Sequence, residues 1–179
     1  TVSLPEPVTK GTNLSLVVGY KGAIDQSMMG YYQSTWHHEG RTGNYALTQF
    51  EPTSARRAFP CWDEPELKAT YSFRMLHREV SSYLVAWANG VFEHIDGSFT
   101  SPLTGKKVPM RVYTTPEYIH QAQYALEVKQ KVLPEYEKVF DIAYPLPKLD
   151  TLVASDFDAG AMENWGLITG RTSVFLYDE

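Results

Sequence analysis

The stretch Leu152-Val153-Ala154-Ser155-Asp156-Phe157-Asp158-Ala159-Gly160-Ala161-Met162-Glu163-Asn164-Trp165-Gly166 decides how this 179-residue chain is read. Leu152-Val153-Ala154 begins a short apolar strand that leads into Gly160-Ala161-Met162-Glu163-Asn164. Two small residues stand together at Gly160 and Ala161. Small side chains let an extended peptide approach the main chain, and a strand edge of this kind can pair with such a peptide through its amides and carbonyls. Glu163 adds one negative charge at the end of that edge. A free α-ammonium is a compact cation with three donors, which a carboxylate complements. A strand end with a solvated Glu is the bland reading, and for a lone Gly-x-x-Glu it would prevail. Five adjoining residues make a more specific signal.

Upstream of this run, Met110 to Tyr113 reads as a strand. Thr114-Thr115-Pro116-Glu117 then reads as a helix start, with a Thr cap, Pro in the first turn and Glu three residues after Thr114. Ala122, Ala125, Val128, Val132, Tyr136 and Val139 follow at steps of three or four, which predicts one buried apolar stripe. Pro134 removes a helix hydrogen bond, so a kink or break is expected there. Tyr144-Pro145-Leu146-Pro147 forces an extended connection.

The first hundred or so residues read as β-structure. Leu14, Leu16, Val18 and Tyr20 alternate with Ser15, Val17 and Gly19, and Tyr71, Phe73 and Met75 alternate with Ser72 and Arg74. Ser81 to Ala88 is rich in strand formers and ends at the turn pair Asn89-Gly90. Arg56, Arg57, Asp63 and Glu64 are dense enough to predict an ion-pair network that fixes a loop.

Composition narrows the function classes. Hydrophobic residues make up 43% of the chain and aromatics 13%, enough for a packed core. The formal net charge of -5 comes without a basic stripe, so no nucleic-acid footprint is expected. No run of eighteen apolar residues occurs, so no membrane partner is expected. Thr1-Val2-Ser3-Leu4-Pro5 carries no basic, apolar leader, and Cys61 is the only cysteine. The single cysteine suits a reducing compartment, and a cytoplasmic setting is expected. Phe59, Pro60 and Trp62 around Cys61 predict a structural thiol, not a nucleophile.

Gly160-Ala161-Met162-Glu163-Asn164 resembles the GAMEN element of the zinc aminopeptidases of the thermolysin-like (gluzincin) superfamily. Further matches are Gly30-Tyr31-Tyr32-Gln33-Ser34, Thr48-Gln49-Phe50-Glu51-Pro52 and Ala55 through Pro65. Ser82-Tyr83-Leu84-Val85-Ala86, Val112 through Pro116, Tyr144 through Lys148 and Trp165 through Ile168 also match. The resemblance spans nearly the whole chain and looks most like the cytosolic puromycin-sensitive type and its fungal relatives. It implies a mainly β, α+β fold. A partial β-saddle N-terminal domain over 1–109 would precede the start of a thermolysin-like α/β catalytic domain over 110–179.

Carried over position by position, Glu163 is similar to the glutamate that binds the substrate's free amine, and Glu51 to an N-terminal-domain acid that binds the same amine. Gln49, two positions before Glu51 on one strand face, would line the first side-chain pocket. Gly160, Ala161 and Met162 would touch the substrate backbone, and Asn164 completes the substrate-binding set. The implied partners are peptides with a free N-terminus and the rest of the catalytic domain. The implied cofactor is zinc, held in the family by a His-Glu-x-x-His helix and a later Glu. That motif is absent from the sequence, and His37, His38, His77, His94 and His120 include no i, i+4 pair. No catalytic and no metal residue is therefore assigned, and the chain is expected to be an inactive fragment. A non-catalytic peptide-binding module on the same scaffold is the alternative. The epoxide-hydrolase branch of the superfamily fits less well, because Ala161 stands where it has Gly and Glu51 where it has Gln. The link Leu76 to Val80 is also shorter than the family's by some tens of residues.

Overall fold

A computed structural model describes residues 4–71 and 82–177. The expected strand residues Ser72 to Met75, the link Leu76 to Val80, His77 and Ser81 lie outside them. The architecture is mainly β with one long helix, the α+β class that the sequence implies. Strands β1 (Gly30–His38), β2 (Arg41–Gln49) and β3 (Ala88–Asn89) form an antiparallel sheet in the order β1-β2-β3. Strands β4 (Glu93–Thr100), β5 (Lys107–Thr114), β6 (Leu149–Ala154), β7 (Ala161–Met162) and β8 (Leu167–Arg171) form a second sheet. Its order is β4-β5-β6-β8-β7, with β5/β6 and β6/β8 parallel and the two outer pairs antiparallel. The division expected between residues 109 and 110 falls inside β5, and the sheet that contains it begins at Glu93.

Every residue of β6 is buried, as for a parallel strand covered on both faces. Leu152 and Ala154 pack towards the three-stranded sheet with Tyr32, Trp36, Tyr45, Leu47, Phe157 and Met162. Val153 packs on the other face with Met110, Val112, Ala122 and Leu126. β6 is thus the shared wall of two cores.

Helix α1 (Ala122–Phe140) joins β5 to β6 and corrects the expected helix start and the expected buried stripe. Pro116–Gln121 is a 3-10 turn, Thr115 makes no side-chain cap, and α1 begins only at Ala122. The helix runs through Pro134 without a break. The buried stripe is not the expected one. Tyr136 and Val139 are exposed, while Ala122, Leu126 and Glu137 are buried. The packed face also carries Lys129 and Gln130. Lys129 Nζ donates to Leu149 O at 2.8 Å and Thr151 Oγ1 at 2.9 Å, and Gln130 Nε2 donates to Ser98 O at 2.9 Å. Glu137 accepts from Ser101 Oγ and from the Tyr144 amide. Side chains counted as polar therefore face inward, because each meets a defined partner.

The predicted strand at Leu14 to Tyr20 is not formed. Leu14, Leu16, Val18 and Tyr20 are all exposed, and no ladder pairs them among the described residues. Alternation supplies a strand's faces but not its partner, and an unpaired strand has no hydrogen-bond ladder to hold it. The segment expected as a strand over Ser81 to Ala88 is instead a 3-10 turn at Ser82–Leu84 and the two-residue β3.

Candidate functional site

Gly160 opens the site with φ +78°, a left-handed conformation that suits glycine. The chain then straightens into β7, where Ala161 pairs with Gly170 and Met162 with Thr169. β7 is the last strand of its sheet, so its other edge is open among the described residues. Strand alternation sorts the side chains. Ala161 and Glu163 are exposed, while Met162 is 1% exposed and lies in the core.

That core ties the edge to the other sheet. Met162 shares one cluster with Tyr45 and Leu47 of β2. Gln49 lies on the same strand face as those two residues and is 5% exposed, with Oε1 buried and unpartnered. Glu51 follows two residues later, exposed. Gln49 is thus the last residue of β2, whereas Glu51 lies in the turn beyond it, so the two do not share a strand face as expected; Glu163 follows the last residue of β7. Neither Glu51 nor Glu163 has an ion-pair partner among the described residues.

Asn164 faces inward. It is 3% exposed, and its Nδ2 donates to Leu167 O at 3.1 Å and Thr169 Oγ1 at 2.9 Å. The Leu167 amide returns a bond to Asn164 O at 3.2 Å. Asn164 therefore ties the turn from β7 to β8 through its Nδ2, while its Oδ1 is buried without a hydrogen-bond partner among the described residues.

Several supporting residues escaped the sequence reading. Tyr32 OH donates to Asp156 O at 2.7 Å, Ser34 Oγ bonds the Asp156 carboxylate, and Tyr45 OH lies 3.2 Å from Ser155 Oγ. Burial pushes the Tyr32 phenol far up, so it stays a donor. These residues lock the β6 end to the three-stranded sheet. For Tyr32 and Ser34 the signal was hydroxyls at period two on the inward face of β1; Tyr45 comes from β2. Arg171 was also missed. Its guanidinium donates to Phe157 O, Asp158 O and the Asp158 carboxylate, and its amide donates to Gly160 O at 2.8 Å. It clamps the loop that leads into β7.

The Arg-Asp-Glu loop is the structural network expected. Arg56 Nε lies 3.1 Å from Asp63 Oδ2 and Arg56 Nη2 lies 3.4 Å from Glu64, while Arg57 bonds Ser27. Asp63, 1% exposed, also accepts from the Arg56 amide and Ser82 Oγ. Burial, then the Asp63 charge, pushes the Cys61 thiol up to about 11, which suits a structural cysteine.

Residues 1–96 match the Peptidase M1 N-terminal domain, and residues 124–179 match the Peptidase family M1 domain. The chain belongs to the M1 peptidase family. It is 38% identical over 205 residues to endoplasmic reticulum aminopeptidase 1 of Homo sapiens, covering 97% of this chain and 21% of that protein. Aminopeptidase M1 of Arabidopsis thaliana is 37% identical over 193 residues, covering 92% of this chain and 21% of the relative. Glutamyl aminopeptidase of Bos taurus is 34% identical over 203 residues, with coverages of 97% and 21%. The chain thus spans about a fifth of the length of these curated relatives. No group of three or more His, Cys, Asp or Glu stands together among the described residues in a way that could hold a metal ion. Among those residues no helix is long and apolar enough to cross a membrane.

Proposed function

We propose that this chain is the substrate-gripping part of a zinc-dependent aminopeptidase that removes N-terminal residues from peptides. The observation that carries the reading is the open edge of β7, with exposed Glu163 just past its last residue and Met162 packed on Tyr45 and Leu47 of β2, the strand that leads to Gln49 and Glu51. An extended peptide adds to that edge through its main chain. Its protonated amine then sits between the carboxylates of Glu163 and Glu51, two exposed acids without ion-pair partners among the described residues. An internal peptide segment brings no charge and would leave both acids desolvated and unpaired, which disfavours it. Gln49 Oε1, buried and unpartnered, is available to the first side chain.

The described residues supply no metal-holding group. Zinc belongs to the complete enzyme in this reading, and this chain alone hydrolyses nothing. A cytoplasmic setting belongs to the same proposal, supported by the single, structural Cys61. A non-catalytic peptide-binding module on the same scaffold is the second reading, and the presence or absence of His-Glu-x-x-His in the full-length protein separates the two.

The test is the binding of a tripeptide with a free amine against its N-acetylated form. The free amine binds the chain at least tenfold more tightly, and Glu163→Gln removes most of that preference. Equal binding of the two peptides refutes the anionic grip. Release of amino acids from a chromogenic aminoacyl substrate by the chain alone, with stoichiometric zinc, refutes its inactivity.

A further inference from the structure

A tight turn leads into the peptide edge. The Ala161 amide donates to Ala159 O at 3.0 Å across Gly160, whose φ is +78°. A turn of this span with its central φ near about +75° is a rare and strained form, and it persists where its surroundings hold it. Arg171, the last residue of β8, holds it in two ways. Its amide donates to Gly160 O at 2.8 Å. Its guanidinium donates to Phe157 O, to Asp158 O and, at 3.1 Å, to Asp158 Oδ1. One planar fork thus ties two successive carbonyls just ahead of the turn, a geometry that the point charge of an ammonium does not match.

The turn decides which main-chain groups face outward. In an antiparallel ladder, residues that exchange hydrogen bonds alternate with residues that do not. Gly160 O takes the Arg171 amide, so the next residue, Ala161, paired with Gly170, aims its carbonyl away from β8 and towards the open edge. The Ala161 amide is turned back onto Ala159 O. The Ala161 carbonyl is therefore the acceptor that this part of the edge offers.

We infer that Arg171 is a positioning residue for peptide recognition: its fork sets the Gly160 turn and so aims the Ala161 carbonyl at a main-chain N–H of an extended peptide. The inference rests on the peptide-edge reading above. It adds that main-chain pairing and the amine grip are separable, because none of the Arg171 hydrogen bonds goes to Glu163 or Glu51.

The test titrates the whole chain calorimetrically with three tripeptides of one sequence: free-amine, N-acetylated, and free-amine with both peptide nitrogens methylated. On the wild type the methylated peptide binds about fivefold more weakly than its parent, the loss of one main-chain hydrogen bond. Arg171→Ala brings those two affinities together, while the free-amine peptide keeps its advantage over the acetylated one. Arg171→Lys keeps the charge and does not restore the difference. A purely structural Arg171 would lower all three affinities together and leave their ratios intact. Hydrogen exchange reads the turn without a peptide: Arg171→Ala speeds exchange of the Ala161 amide about tenfold and leaves the Leu152 amide, in the shared core, unchanged. If Arg171→Ala does not fold, Arg171→Lys decides in both assays. Equal wild-type affinity for the parent and methylated peptides overturns the inference. So does a parent-to-methylated ratio, or an Ala161 exchange rate, that the folded variant leaves as in the wild type. Equal wild-type affinity for the free-amine and acetylated peptides refutes the amine grip alone, and no tripeptide binding at all refutes both.

Discussion

Removing the Asn164 side chain tests whether the peptide edge is held from inside. Asn164→Ala deletes two buried hydrogen bonds, to Leu167 O and Thr169 Oγ1. At about 1 kcal/mol each, with both acceptors left in a site where Asn164 is 3% exposed, the loss is about 2–3 kcal/mol. Asn164→Asp has nearly the same shape but loses the donor. Its carboxylate would face Leu167 O with no donor between them, while the Thr169 hydroxyl can turn to donate, so it costs about 1–3 kcal/mol. Thr169→Val removes one of the two partners, and the Asn164/Thr169 double mutant should show a coupling of about 1 kcal/mol. Urea unfolding followed by tryptophan fluorescence measures all four proteins. Losses under about 0.5 kcal/mol for both Asn164 variants would refute the inward role and return the amide to the substrate side.

Other outcomes follow from the same geometry. In the complete enzyme Glu163→Gln raises KM for free-amine substrates, and an unchanged kcat/KM would remove Glu163 from the amine site. Burial pulls the Lys129 amine down to about 7. The unfolded lysine keeps its proton to about pH 10, so the penalty is full below pH 7 and stability rises with pH between those values. Relative to Lys129→Met, the wild type should gain roughly 1 kcal/mol per pH unit between pH 8 and 9. A difference that stays constant across that window contradicts the assignment. Glu137→Ala leaves Ser101 Oγ and the Tyr144 amide without their carboxylate and should cost about 2–4 kcal/mol in the same unfolding assay.

Which parts of this molecule could be read in advance follows from the range of the forces involved. Gly160-Ala161-Met162-Glu163-Asn164 announces its chemistry locally, because small residues and one carboxylate keep their character in any context. The strands at Met110 and Leu152 were legible for the same reason, since their apolar residues are bounded by breakers within a few positions. The Arg56–Asp63 loop was legible as opposite charges a few residues apart.

Other features needed partners from far along the chain. Leu14 to Tyr20 has a strand's alternation, yet no ladder forms on it among the described residues. The inward face of α1 is set by Lys129, Gln130 and Glu137, whose acceptors and donors lie on β4 to β6 and the loops beside them. A periodicity count treats those three as solvent-facing, and it therefore rotates the helix wrongly. Asn164 sits in the motif by sequence but turns inward because Leu167 O and Thr169 Oγ1 await its amide. The sequence by itself determined the family and the residue types of the proposed peptide edge. The tertiary structure decided which of them face out, because burial of Met162 against Leu47 and Tyr45 orients β7. That packing joins residues more than a hundred positions apart, and no local pattern encodes it.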